Sequence, residues 1–211
     1  AELEGAPFWM KTTAGRALLS EIVDLLPSPL EAAIPDPEGD HGGSPLLGHV
    51  FKTVSEPHVG DVTYFRVYSG LVRNGQEVWN APRDVAEKLN HLCIAIGKER
   101  HEVAELHAGD IGCVAKLRDT HTNDSLSTRD LPIIVPKIPF PEPVIAVAIE
   151  VKQRGEEEKL STGLHKVHEE DPTFRHEYNA ELGQTLIRGL GERHLELVVG
   201  RLLRKYGVHA Q

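Results

Sequence analysis

The chain has 211 residues, 40% hydrophobic and 26% charged, with a formal net charge of −9. That composition excludes wholesale disorder, and no apolar run reaches the ~18 residues that a membrane-crossing helix needs. The acidity also argues against tight nonspecific nucleic-acid binding over the whole surface, while leaving room for a local basic patch. The opening Ala1-Glu2-Leu3-Glu4 lacks the basic-then-apolar order of a secretory signal. The two cysteines, Cys93 and Cys113, are too few for a disulfide scaffold, so reduced thiols in the cytoplasm are expected. The single methionine is Met10, which leads us to expect a processed chain or a piece of something longer.

Proline placement divides the chain. Of fourteen prolines, one group lies at 27, 29, 35, 37 and 45 and another at 132, 136, 139, 141 and 143. Proline removes a backbone donor and restricts its predecessor, so such clusters read as linkers. Ahead of the first, Thr12 to Leu26 spaces Leu18, Leu19, Ile22, Val23, Leu25 and Leu26 as a helix, with threonines to cap it. An amphipathic helix alone has nothing to pack on, and it looks like the last helix of a domain that is missing.

Between the linkers the pattern is that of strands. Val62 to Tyr68 is β-branched and aromatic and ends at Ser69-Gly70, and Glu77-Val78-Trp79 follows the turn pair Asn74-Gly75. Ala108-Gly109-Asp110 turns into the short strand Ile111 to Ala115. Many short strands with glycine turns predict a small closed barrel. After 144 the period changes: a strand over 145–151, a helix over 156–170, strands at 174–178 and 184–188, a second helix after Gly189-Leu190-Gly191, and a barely begun fourth strand at 208–210. The order β-α-β-β-α-β is the ferredoxin-like plan.

Motifs that would carry catalysis are weak. His101-Glu102-Val103-Ala104-Glu105 opens like a zincin helix, but Glu105 stands where the second histidine belongs. His165 and His168 share a helical face with Glu169 nearby, two ligands without a third. In a strand, His91 and Cys93 would share a face, yet no orienting carboxylate accompanies them, and a structural cysteine is expected. No G-x-x-x-x-G-K-[ST] occurs, and Asp36-Pro37-Glu38-Gly39 matches a GTPase D-x-x-G by letters only, inside a proline linker. No catalytic, cofactor-binding or metal-ligating residue is expected.

The run His58 to Gly70, with its Arg66-Val67-Tyr68-Ser69-Gly70, resembles the barrel domain of translational GTPases. Asn123-Asp124-Ser125-Leu126 stands where that family has T-G-D-T-L. Pro141 to Glu150, Glu169 to Phe174, and Gly189-Leu190-Gly191-Glu192-Arg193-His194-Leu195-Glu196 are similar to domain III of elongation factor G, with Arg193 replacing the usual leucine. Leu26-Pro27-Ser28-Pro29 resembles the end of that family's G domain. The resemblance implies a mainly β plus α+β chain, a translation-factor β-barrel followed by a ferredoxin-like domain. It divides as 1–30, the terminal helix of a missing GTP-binding domain; 31–44, a linker; 45–132, domain II; 133–143, a linker; and 144–211, domain III.

The same resemblance implies a monomeric, cytoplasmic fragment of a ribosomal translocation factor, with no membrane partner. It would contact ribosomal RNA and small-subunit protein. GTP and Mg2+ would belong to the parent protein, and this chain alone would not hydrolyse GTP, because phosphoryl transfer needs a phosphate cradle, magnesium and a positioned water. A ribosomal protection protein of the tetracycline-resistance type shares the architecture and stays open, as does a stand-alone RNA-binding adaptor. Arg66 and Tyr68, two apart on a strand, can pair phosphate contact with stacking, or else close the barrel with Arg66 a solvated edge charge. Arg188, Arg193 and His194 are the candidate contacts in domain III, whereas Glu192 is explained by the helix dipole alone.

Overall fold

The computed structural model describes residues 12–26, 45–56, 58–97, 99–152 and 155–210. The expected linker at 31–44, the Leu26–Pro29 resemblance beyond Leu26, the Asp36–Gly39 letters and Met10 lie outside the described residues.

Helix α1 (Thr13–Leu25) begins where the Thr12 side chain accepts the Gly15 N–H at 3.1 Å. Leu18, Ile22, Val23 and Leu25 on this helix remain exposed.

Thirteen strands follow in the described residues. The barrel contains β1 (Leu47–Glu56), β2 (Gly60–Ser69), β3 (Leu71–Arg73), β4 (Glu77–Asn80), β5 (Val85–Lys88), β6 (Cys93–Ile96), β7 (Glu99–Glu102), β8 (Glu105–His107), β9 (Ile111–Ala115) and β10 (Ser125–Ser127). Eight of them form one sheet in the order β5-β4-β10-β1-β2-β9-β6-β7, and β3 pairs with β8. Phe65 and Val67 alternate inward from β2 to meet Val50, Val78, Leu89, Leu92, Leu106, Val114 and Leu126. Gly112 leaves room for the core to close: a Cβ there would sit 2.2 Å from Leu106 Cδ1 and 3.3 Å from the Phe65 ring.

Three features of this region differ from what local pattern suggests. The zincin-like letters do not lie on a helix, since His101 is in β7 and Glu105 in β8. His91 does not share a strand face with Cys93; it precedes β6 in the left-handed region, φ 55°, and its carbonyl accepts the Cys93 thiol at 3.2 Å. Strand β1, which the periodicity did not announce, is the longest partner of β2. Its alternation is masked because both faces are covered: at 47–50 all four residues are buried.

The proline segment after β10 is pinned to the barrel. The Val135 N–H donates to Ser125 Oγ at 2.9 Å, and Ile138 exchanges two bonds with the Asn123 amide.

The C-terminal unit is a ferredoxin-like α+β layer built from β11 (Ile145–Ile149), α2 (Glu157–Glu170), β12 (Arg175–Asn179), β13 (Gln184–Gly189) and α3 (Glu192–Tyr206). The antiparallel order is β11-β13-β12. The fourth strand is reduced to one bridge, Val151 to Ala210, which places it beside β11 as the plan requires. Leu160, Leu164 and Val167 of α2 and Leu195, Val198 and Leu202 of α3 close over Ile149, Phe174 and Ile187. The helices cross closely at Gly163, where a Cβ would lie 2.8 Å from Leu202. Gly207, φ 64°, caps α3 in the left-handed region and returns its N–H to Leu203.

Candidate functional site

Arg66 and Tyr68 point away from the core, on the outer face of β2. This strand lies between β1 and β9, so Arg66 is not an edge charge, and it is half-buried rather than solvated. Its guanidinium carbon stands 5.7 Å from the Tyr68 ring centroid, a cation–π contact. Directly opposite Arg66 on β1 is His49, 3% exposed, its ring stacked on Tyr68 with centroids 6.4 Å apart. Burial lowers the His49 pKa, with Asp124 and Asn123 pulling the other way. Neither ring nitrogen of His49 nor Nε of Arg66 has a hydrogen-bond partner among the described residues. These nitrogens are enclosed behind the Tyr68 ring, so an external group meets only the half-buried Arg66 side chain and the Tyr68 ring on the outer face of β2.

The three domain III candidates separate. Arg188 on β13 turns to β12, where its Nε and Nη2 donate to Glu177 Oε1 at 3.1 and 2.7 Å. It therefore does not join Arg193 and His194 across the turn. Arg193 is 92% exposed in its side chain and pairs with Glu196 on the same helix at 2.7 Å. His194 faces inward. Its Nδ1 accepts the Leu190 N–H at 3.1 Å, which leaves Nε2–H to donate to Asp171 Oδ2 at 3.1 Å. In this position it holds the Gly189–Gly191 turn against the end of α2 rather than offering a contact surface. Burial raises the Asp171 pKa, but hydrogen bonds from Thr173 and His194 outweigh it, so the net shift is downward.

A further group, whose Asp124, Glu169 and Glu170 stand in two of the resemblance runs but whose pairing no motif announced, joins the barrel to the C-terminal unit. Asp124 Oδ2 accepts from Asn80 Nδ2, Arg83 Nε and the His121 N–H at 3.0, 2.8 and 2.9 Å. Buried Glu87 accepts from the N–H groups of Arg118 and Asp119 and from the Thr120 hydroxyl. These bonds shape the loop that aims His121 at Glu169 on α2. The bond to Glu169 raises the His121 pKa against the opposing effect of burial, and the same bond lowers that of Glu169. Next to it, Glu170 Oε1 accepts the Ser55 N–H at 2.8 Å and Lys205 Nζ at 2.6 Å, and Lys205 also reaches the Ser55 carbonyl at 3.2 Å. Their sequence separations run from 35 to 150 residues, which explains their silence in the sequence.

The histidines of the helix α2 face form an aromatic cluster: the His176 ring lies 6.5 Å from His165 and 6.2 Å from His168, and His168 Nδ1–H donates to the Phe174 carbonyl at 2.6 Å. Among the described residues no three His, Cys, Asp or Glu side chains are arranged to hold a metal ion.

Comparison with known proteins shows two family matches in order along the chain. Residues 45–129 match elongation factor G domain 2, and residues 140–211 match elongation factor G, domain III. The fold is similar to a crystal structure of a protein from Thermus thermophilus, at a TM-score of 0.79 and 34% identity over 94% of this chain. The chain spans 29% of that protein's length.

Proposed function

This chain belongs to the elongation factor G family, and on that basis we propose that it acts on the ribosome as the domain II and domain III portion of a cytoplasmic translocation factor. The ordered pair of domain matches carries this reading. Domain II would face ribosomal RNA through Arg66 and Tyr68. The support is the half-buried Arg66 side chain beside the Tyr68 ring on the outer face of β2, a pairing suited to a phosphate and a stacked base or ribose. Arg193 offers a second, more exposed cation on α3, and Arg188 a third, already neutralised by Glu177. GTP binding and hydrolysis, with their Mg2+, would belong to a G domain, for which the exposed apolar stripe of α1 is the complementary packing surface.

In this role the protein adds domain-to-domain rigidity as well as contact. The His121–Glu169 and Ser55–Glu170–Lys205 connections would let a contact made by the barrel be felt by α2 and α3. Binding to purified small ribosomal subunits tests the reading. Despite the charge of −9, pelleting should show micromolar association that weakens as salt rises. Arg66→Ala should lower affinity by about 1 kcal/mol, the scale of one charge-assisted bond. Circular dichroism establishes that the variant is folded. An intact Arg66→Ala protein that binds as well as the parent at low salt, with the same salt slope, would show that the barrel meets the ribosome by another face.

A further inference from the structure

Cys93 and Cys113 face one another across the barrel sheet. They are direct register partners on β6 and β9, the sole such pair between these strands among the described residues. Opposed residues on adjacent antiparallel strands share a face, with Cβ atoms ~4.5–5.5 Å apart. A disulfide spans ~3.5–4.5 Å between Cβ atoms, so a small strand shift is enough to join them. Both thiols are free. Cys113 is 1% exposed, whereas Cys93 is half-buried.

The two cysteines line one cleft of about 790 Å3, within the ~300–1,000 Å3 of small-molecule sites. Lys88, Arg100 and Lys116 line the same cleft, with Glu102 as the opposing charge. Arg100 also has a buried Nη1 with no partner among the described residues, while its Nη2 is paired with Glu56 at 2.9 Å.

We propose that Cys93 and Cys113 form a thiol–disulfide exchange site that takes an anionic low-molecular-weight disulfide of the glutathione class and closes a Cys93–Cys113 bond. The half-buried Cys93, the more accessible of the two, reacts first. Its thiolate attacks one sulfur of the reagent, the reagent's S–S bond breaks, a mixed disulfide forms on Cys93, and the departing thiolate takes up a proton. The Cys113 thiolate then attacks Cys93 Sγ, the mixed S–S bond breaks, and the second reagent thiol leaves protonated. The two protein thiols are oxidised, the reagent disulfide is reduced to two thiols, and the protons lost by the cysteines end on them. Burial pushes the Cys93 thiol up and the Cys113 thiol up to about 11, against the pull of Arg100, so the exchange accelerates as pH rises. The product ties the β6–β7 hairpin to β9 at the position where their pairing is thinnest.

The whole chain is incubated at pH 8 with oxidised glutathione, and in parallel with cationic cystamine, then alkylated and analysed by intact mass and non-reducing peptide mapping. The expected result is a monomer lighter by two hydrogens with linked Cys93 and Cys113 peptides, formed several-fold faster with glutathione at low salt. Cys113→Ser should stop at a stable glutathione adduct on Cys93. Because that variant alters a buried position, the parent protein in urea is the second measurement: denaturation should raise the reaction of Cys113 and abolish the preference for the anionic reagent. Two alkylatable thiols persisting in the folded parent after hours, a linkage only between chains, or equal rates with both reagents would overturn the proposal.

Discussion

Replacing Glu169 by glutamine keeps the shape of the α2 terminus and removes the charge that faces His121. The groups around His121 are Asp119, 3.3 Å from Nε2 on its own loop, Arg83 beside them, Glu169 on α2, and His165 and His168 further along that helix. His121 is raised above its ordinary 6.5 by Glu169 first, so its contribution is complete below about 6.5 and is lost as pH climbs through the higher folded value. Glu169 is lowered below 4.5, so its contribution is present above about 4.5 and disappears as pH falls through the lower folded value. The barrel and the C-terminal unit are therefore held most firmly between roughly pH 4.5 and 6.5. A hydrogen bond to a charged group contributes ~1.5–3 kcal/mol. The two side chains are 32% and 19% exposed, which screens the pair to about 1 kcal/mol.

Histidine NMR titration reads this directly. Glu169→Gln should bring the His121 midpoint down to or below its ordinary value, because burial and Arg83 then outweigh the bond to Asp119, and should cost about 1 kcal/mol in urea unfolding at pH 6 but little at pH 9. An unchanged His121 midpoint, or an equal loss at both pH values, would refute the assignment of the link to charge.

Gly112→Ala places a methyl within 2.2 Å of Leu106, and fluorescence-detected urea unfolding should show a loss of about 2–3 kcal/mol from overpacking. Asp124→Ala removes the acceptor of Arg83 Nε and the His121 N–H, while Asn80 keeps Asp119 and Thr120, and the same measurement should give a loss of about 2–3 kcal/mol. Asp124→Asn, which keeps an acceptor oxygen, should lose less, and His121 should shift in the NMR titration of both variants.

Local pattern alone determined a good deal of this protein. The alternation from Val62 to Tyr68, the glycine turns at 70, 75 and 109, and the apolar stripes of α2 and α3 each depend on neighbours within a few residues, so β-barrel and ferredoxin-like plans were legible before any coordinates. Arg66 and Tyr68 were likewise placed on one strand face by period alone. Tertiary structure decided what those side chains meet. Strand β1 escaped notice because it lies between β10 and β2 with both faces covered at 47–50, which buries His49 where alternation would call for an exposed polar residue. Arg66 is half-buried because β2 is flanked in turn by β1 and β9, and His194 is drawn inward by Asp171, which is 23 residues away in the chain. Glu169 adjoins His168 in the sequence, yet its partner His121 comes from the barrel, 48 residues earlier. Cys93 and Cys113 had no visible relation until β6 was set beside β9. Periodicity reports which way a side chain points within its own element; the partner across the gap is set by how strands and units dock, and that depends on residues far away in the chain.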